Sequence, residues 1–404
     1  MGQMYTGYIT VNNQTLSKVH YTLYSYNGNE DPTSTVNSTA PLFVWLEGGP
    51  GCSAQRGDKT QIGPFQISWN GNQSIITARN TTWNSKAHLL FPEDVLGVGF
   101  SVGLDNVNST LQVAEYLHVF LVRFFQIYPS LADQDLYLIG ESYGGHFSSA
   151  LGAKILSNIT VNKFNFKGLV ISDGLLDMVN QMGSSAQLAY AAGLIDPITK
   201  SKYAGVQLQA AQTYAAGDVA RARDLVTQAF AGLIAKGGNF IRNDYRRYEE
   251  DTSRADLEKW LLNDTIKKLL HVDPTSTYAG CVDFAQENFK DDAYVSFTSN
   301  LTYILNHGDI KVLIWEGQDD WIINTPGVMN YLRSLTDWQG YQEFRSAKKA
   351  TWTAIGAKDK VYGAFKRSGN FTFANLNKAG HLVPSSQPES AFDLISRYLE
   401  NNWS

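Results

Sequence analysis

Two cysteines in 404 residues are too few for a disulfide-stapled scaffold, so an apolar core must hold the fold. No apolar run reaches the roughly 18 residues that a membrane-spanning helix needs. No long run of lysine or arginine occurs and the net charge is only −5, which counts against nucleic acid or an anionic membrane as a main partner. There is no internal repeat and no low-complexity tract, which excludes solenoids and repeat arrays. The opening MGQMYTGYITV has no signal-peptide apolar region and runs almost at once into an alternating strand. Its Met-Gly-x-x-x-Thr start fits a myristoylation pattern, a reading outweighed by the secretory features that follow.

What is present is a core. Apolar residues make up 43% of the chain and aromatics 12%, enough for one large domain with an insertion or for two domains. Asn13, Asn37, Asn72, Asn80, Asn108, Asn158, Asn263, Asn300, Asn370 and Asn402 each begin Asn-x-Ser/Thr without an intervening proline. Chance would give roughly 4 such sequons, so the excess points to a secreted or lysosomal/vacuolar glycoprotein whose targeting segment is absent from this chain. Cys52 and Cys281 permit one bridge, and the residues alone leave open a disulfide or two buried thiols. A bridge would close a loop of about 230 residues, worth roughly 5 kcal/mol in the chain-entropy picture.

Strand-like runs recur along the chain: YTGYITV, HYTLYSY, PLFVWL, HLLF, DLYLIG, FKGLVIS, KVLIWEG and NFTFANL. The early ones alternate and lie close together, as in antiparallel hairpins. The later ones are apolar throughout and separated by helical patterns, as in a parallel sheet covered on both faces. Between about 180 and 300 the texture turns to Ala, Gln and Leu at helical spacing, with no strand. The expected architecture is α/β: a mixed, mostly parallel sheet flanked by helices, its core formed by 1–179 and 301–404, with a helical cap inserted over 180–300.

The stretch LFVWLEGGPGCSA carries a puzzle. A buried-looking strand runs into an acid, Glu47, and then into glycines whose backbone must come close to something. A carboxylate there is poorly solvated unless it has a partner or a ligand.

A second stretch, DLYLIGESYGGHFSSALGAKIL, carries chemistry. A strand meets Gly140-Glu141-Ser142-Tyr143-Gly144 and an amphipathic helix follows, which is G-x-S-x-G in the strand-turn-helix setting that exposes a serine oxygen. Serine is a poor nucleophile without a base, and the base needs an orienting acid. His381, in KAGHLVP after the last strand, is placed for the base. His20, His118 and His146 lie in strand-like or helix-like runs and read as surface or packed residues. For the acid, the end of KVLIWEGQDDWIIN offers Asp319 and Asp320, with Asp173 a third candidate two strands early.

These blocks resemble the serine carboxypeptidases, the α/β-hydrolase group that includes carboxypeptidase Y and cathepsin A. WLEGGPGCSA is similar to the family's W-L-N-G-G-P-G-C-S-S, and GESYGGHF to G-E-S-Y-A-G-H-Y. TWNSKAHLLFPEDVLGVGFS and AGHLVPSSQP match two further family blocks, and the resemblance covers nearly the whole length. It implies an α/β-hydrolase fold and removal of C-terminal residues through Ser142, His381 and Asp320, which selects Asp320 over Asp319. It also implies an oxyanion hole from the Gly49 and Tyr143 N–H groups, a Cys52–Cys281 disulfide, and a clamp on the substrate carboxylate at Glu47, Gly48 and Glu141. No cofactor or metal is required.

Two departures stand out. Glu47 replaces the family's asparagine, and a Glu can donate to a carboxylate only when protonated. Ile323 stands where yeast-type relatives carry a free thiol near the substrate pocket. The expected partners are peptide C-termini, with no nucleic acid or membrane, and a homodimer is compatible with the sequence. Acid pH is the expected working range. Acyl transfer with the same triad is the competing enzyme class, and a turnover-free binding protein is a weaker alternative.

Overall fold

A computed structural model of the chain describes residues 3–26, 31–34, 38–70, 73–103, 105–158, 164–249 and 253–403. Asn37, Asn72 and the Met1-Gly2 start of the myristoylation pattern lie outside the described residues. The strands are β1 (Met4–Asn12), β2 (Ser17–Tyr24), β3 (Leu42–Leu46), β4 (Phe65–Asn70), β5 (Gln73–Ala78) and β6 (His88–Pro92). They continue with β7 (Leu136–Glu141), β8 (Phe166–Ser172), β9 (Lys311–Gly317), β10 (Ala350–Ala354), β11 (Ala357–Ser368) and β12 (Phe371–Leu376).

Ten of these form one sheet in the order β1-β2-β6-β3-β7-β8-β9-β12-β11-β10, while β4 and β5 pair separately. The middle, β6-β3-β7-β8-β9-β12, is parallel throughout. Its flanks are antiparallel: β1 with β2, β2 with β6, β12 with β11 and β11 with β10. The central strands are buried end to end because helices cover both faces. Alternate residues divide between them. Leu42, Val44, Leu46, Leu138, Leu169 and Ile314 pack toward helices 110–127 and 144–157, and Phe43, Trp45, Ile139, Val170, Leu313 and Trp315 toward helix 388–400. The fold is that of an α/β-hydrolase.

Between β8 and β9 the described chain contains helices and no strand. Helix Pro197–Ala215 begins at Asp196, whose side chain accepts from Ile198 N at 2.8 Å and Thr199 N at 2.9 Å, and Pro197 occupies the first turn where no N–H is missed. Helix Val219–Lys236 follows after a short turn and is capped in the same way by Asp218.

The β4–β5 hairpin and the β10–β11 pair are not foreshadowed by apolar runs. All six residues of β5 are exposed, and β11 carries exposed Asp359, Lys360 and Val361 near its start, so neither has a burial pattern to read.

Candidate active site

The C-terminal ends of parallel strands converge where such sheets place their sites. Glu47 follows β3, Ser142 follows β7, Asp173 follows β8, Asp320 lies just past β9 and His381 past β12. Ser142 has φ +56°, in the left-handed region that a strained strand-to-helix turn imposes. Its backbone is pinned: its N–H donates to Ser172 O at 3.0 Å, and its own carbonyl accepts from Gly145 N and Leu175 N at 3.0 and 2.8 Å.

His381 Nδ1 lies 2.7 Å from Asp320 Oδ2, and both side chains are buried. Asp320 Oδ1 accepts from Ile322 N at 2.8 Å and Ile323 N at 3.2 Å, which fixes the carboxylate plane. With Nδ1–H donating to Asp320, Nε2 is left with its lone pair, the form a general base needs. Burial first, then the charges of Arg56 and Arg242, lowers the His381 pKa to about 3, with Glu47 opposing. Burial pushes the Asp320 carboxyl up, against its two backbone donors. Asp319 is turned away, 3.2 Å from Arg246 Nη1. Asp173 sits close to the pair but accepts from Gly317 N at 2.6 Å. His20 and His146 are buried against backbone carbonyls, and His118 packs on Phe164. None of these three reaches the site.

The glycine turn after β3 approaches the serine from the other side. A Cβ on Gly48 would come within 2.6 Å of Ser142 Cβ and 2.9 Å of Tyr143 N, so only glycine permits this approach. Gly49 has φ +117°. Neither the Gly49 N–H nor the Tyr143 N–H donates a hydrogen bond among the described residues. The turn is tied to the helical segment between β8 and β9 by the Cys52–Cys281 disulfide, with Ser53 N donating to Gly280 O at 2.7 Å and Val282 N to Gly51 O at 3.0 Å.

Glu47, Gly48 and Glu141 line one cavity of about 440 Å³ together with Ser142 and His381. Glu47 Oε2 accepts from Trp45 Nε1 at 2.9 Å and Gly57 N at 3.1 Å, so one of its oxygens is held by its own chain. Glu141 Oε2 accepts from Gln61 Nε2 at 2.7 Å, while its Oε1 is buried and has no partner. Burial, then the Glu47 charge, raises the Glu141 pKa well above the usual carboxylate value, which favours its protonated, hydrogen-bond-donating form. A second cavity of about 250 Å³ opens on the other side of Ser142 and Gly49, walled by Leu175, Met178, Val226, Phe230 and Ile323. The serine thus stands between a charged pocket and an apolar one.

Arg56, Gln61 and Arg242 belong to this site and have no local signal in the sequence, since QRG and IRN read as ordinary surface chain. Of the described sequon asparagines, Asn13, Asn80, Asn108, Asn263, Asn370 and Asn402 are exposed, and Asn158 and Asn300 are half-buried.

The serine carboxypeptidase family model matches residues 1–401. The chain belongs to that family. A venom serine carboxypeptidase of Apis mellifera is 29% identical over 98% of this chain and 84% of its own length. Serine carboxypeptidase-like 50 of Arabidopsis thaliana is 30% identical over 98% and 87%. The crystal structure of Kex1(delta)p, a prohormone-processing carboxypeptidase from Saccharomyces cerevisiae, superposes with a TM-score of 0.88 over 99% of this chain and 92% of its own, at 21% identity, a likeness of fold. This serine carboxypeptidase is accordingly a hydrolase of the exopeptidase class. None of its described helices is long and apolar enough to cross a membrane.

Proposed function

We propose that this enzyme removes residues one at a time from free peptide C-termini through an acyl-enzyme, with Ser142 as nucleophile, His381 as general base and Asp320 as its orienter, and that it works at acid pH. The observation that carries the reading is the 2.7 Å contact between His381 Nδ1 and Asp320, on a cavity that also holds Ser142. Ser142 Oγ attacks the scissile carbonyl carbon as its proton passes to His381 Nε2. The oxyanion is taken by the Gly49 and Tyr143 N–H groups, which have no other acceptor among the described residues. The C–N bond breaks, the leaving amine takes the proton from His381, and water attacks the ester by the same route.

The end of the substrate lies in the charged cavity. Gly48 N–H and neutral Glu141 donate to the terminal carboxylate, and Glu47 borders it. The penultimate side chain enters the apolar pocket. The family match favours hydrolysis over acyl transfer to an alcohol. A secreted or lysosomal setting is supported by the disulfide and by six exposed sequons, Asn13, Asn80, Asn108, Asn263, Asn370 and Asn402.

The test combines fluorophosphonate labelling with peptide digestion. The label is expected on Ser142, and digestion is expected to release single C-terminal amino acids from free-carboxylate peptides. Labelling elsewhere, or internal cleavage without release of terminal residues, would overturn the proposal.

A further inference from the structure

Two guanidinium groups in the charged cavity form no ion pair among the described residues. Arg56 and Arg242 both line it beside Ser142 and His381, and among the described residues neither side chain makes an ion pair or hydrogen bond. Arg242 only leans over the Phe230 ring, 5.9 Å from its centroid. The cavity's other arginines are engaged: Arg254 holds Glu258 at 3.0 Å, and Arg247 lies 3.9 Å from Asp244.

Both groups sit on anchored backbone. Arg56 N donates to Ser53 O at 3.0 Å just after the disulfide-tied turn, and the next N–H, of Gly57, holds Glu47. The Arg242 carbonyl accepts from both Trp321 N and Ile322 N at 3.1 Å, and Asn243 O accepts from His381 N at 2.6 Å. Arg242 is therefore stitched between the loop carrying Asp320 and the loop carrying His381. Arg56 stands at the end shared with Glu47, Gly48 and Glu141, and its charge acts on Glu141 as well as on His381, whereas Arg242 acts on His381.

An ordinary peptide end brings one carboxylate to this pair of cations. A C-terminal glutamate or aspartate brings two, and a guanidinium fork fits a carboxylate in two-point contact. We propose that the leaving-residue subsite selects peptides ending in an acidic residue, Arg56 pairing with the α-carboxylate and Arg242 with the side-chain carboxylate. This rests on the charged cavity holding the peptide C-terminus, as set out above. Arg242 is exposed, so the preference is modest, about fivefold, and fades with added salt.

The experiment compares two peptides that differ only in a terminal Glu or its neutral counterpart Gln, at about pH 6, where the glutamate side chain is ionised. The expected result for the wild-type enzyme is a kcat/KM about fivefold higher for Glu. Arg242→Gln should lower kcat/KM for the Glu peptide more than for the Gln peptide and so abolish the difference between them, and Arg242→Lys should restore part of it. Arg56→Gln should weaken both peptides alike. Inhibition by free glutamate but not glutamine reads the same subsite in unmodified protein. Equal rates for the two peptides, or faster cleavage of the Gln peptide, overturn the proposal and leave the carboxypeptidase reading standing. Tighter binding of the Glu peptide to Ser142→Ala, with no hydrolysis of either peptide by the wild type, does the reverse.

Discussion

Gly57 donates its backbone N–H to Glu47 Oε2 at 3.1 Å, on the same oxygen that the Trp45 indole reaches at 2.9 Å. The acid that interrupts the strand-to-turn junction thus has two partners of its own while still bordering the substrate cavity. Glu47→Gln can keep its carbonyl oxygen on both donors and turn its amide toward a bound carboxylate. A several-fold lower KM for free-carboxylate peptides is expected, with amidated peptides unchanged. Glu47→Asn is a methylene short, leaves two buried donors unmet and should cost about 1–3 kcal/mol. A thermal melt distinguishes the two variants; equal melting temperatures would show that the Trp45 and Gly57 bonds carry no weight.

Ser142→Ala removes one oxygen from a turn whose backbone bonds are all main-chain, so it should fold normally and lose several orders of magnitude in kcat. His381→Ala should cost about as much, because the members of such a set act as a unit. Near-normal turnover by either purified variant would remove that residue from the mechanism.

Two pKa shifts set the pH profile. A His381 value lowered from 6.5 to about 3 means that the base form survives into acid, so the acid limb of kcat/KM should fall below pH 6.5. Glu141 is raised, so it donates at acid pH and becomes a second negative charge as pH climbs through its pKa. KM for free-carboxylate peptides should then rise with pH, and amidated peptides should escape. An acid limb at or above 6.5, with parallel profiles for both substrate types, would contradict this assignment.

Glu93 is buried beneath the same turn, accepting from Ser53 Oγ at 2.8 Å and Ala54 N at 3.0 Å, and burial raises its pKa from 4.5 to about 8. Between those values the folded state holds a proton that the unfolded state releases, so stability is greatest below 4.5 and is lost as pH rises toward 8. The melting temperature should fall over this interval, and Glu93→Gln should flatten the slope. A melting temperature that rises across it would exclude Glu93 as a titrating group.

The sequence makes visible what depends on short-range chemistry. LFVWL and DLYLIG announce themselves as strands because covered parallel strands must be apolar throughout, and the elbow at Ser142 is visible because its glycines sit at fixed offsets. What lies at an edge or across the fold does not show. The exposed β5 and the charged β11 carry no burial pattern. Arg242 is brought beside His381 by hydrogen bonds between loops far apart in the chain, and Arg56 lines the same cavity from a turn more distant still in sequence. Glu47 was legible as an anomaly, but its partners were not: Gly57 is ten residues on, and a backbone N–H has no signature.

Cys52 and Cys281 stand 229 positions apart in sequence, and the span between them includes the elbow and most of the helical segment between β8 and β9. A single proteolytic cut anywhere within that span leaves two polypeptides still joined as one molecule. Such a nicked form would migrate as the intact protein until reductant separated its halves, and the Gly49 turn would remain tethered to residue 281 throughout.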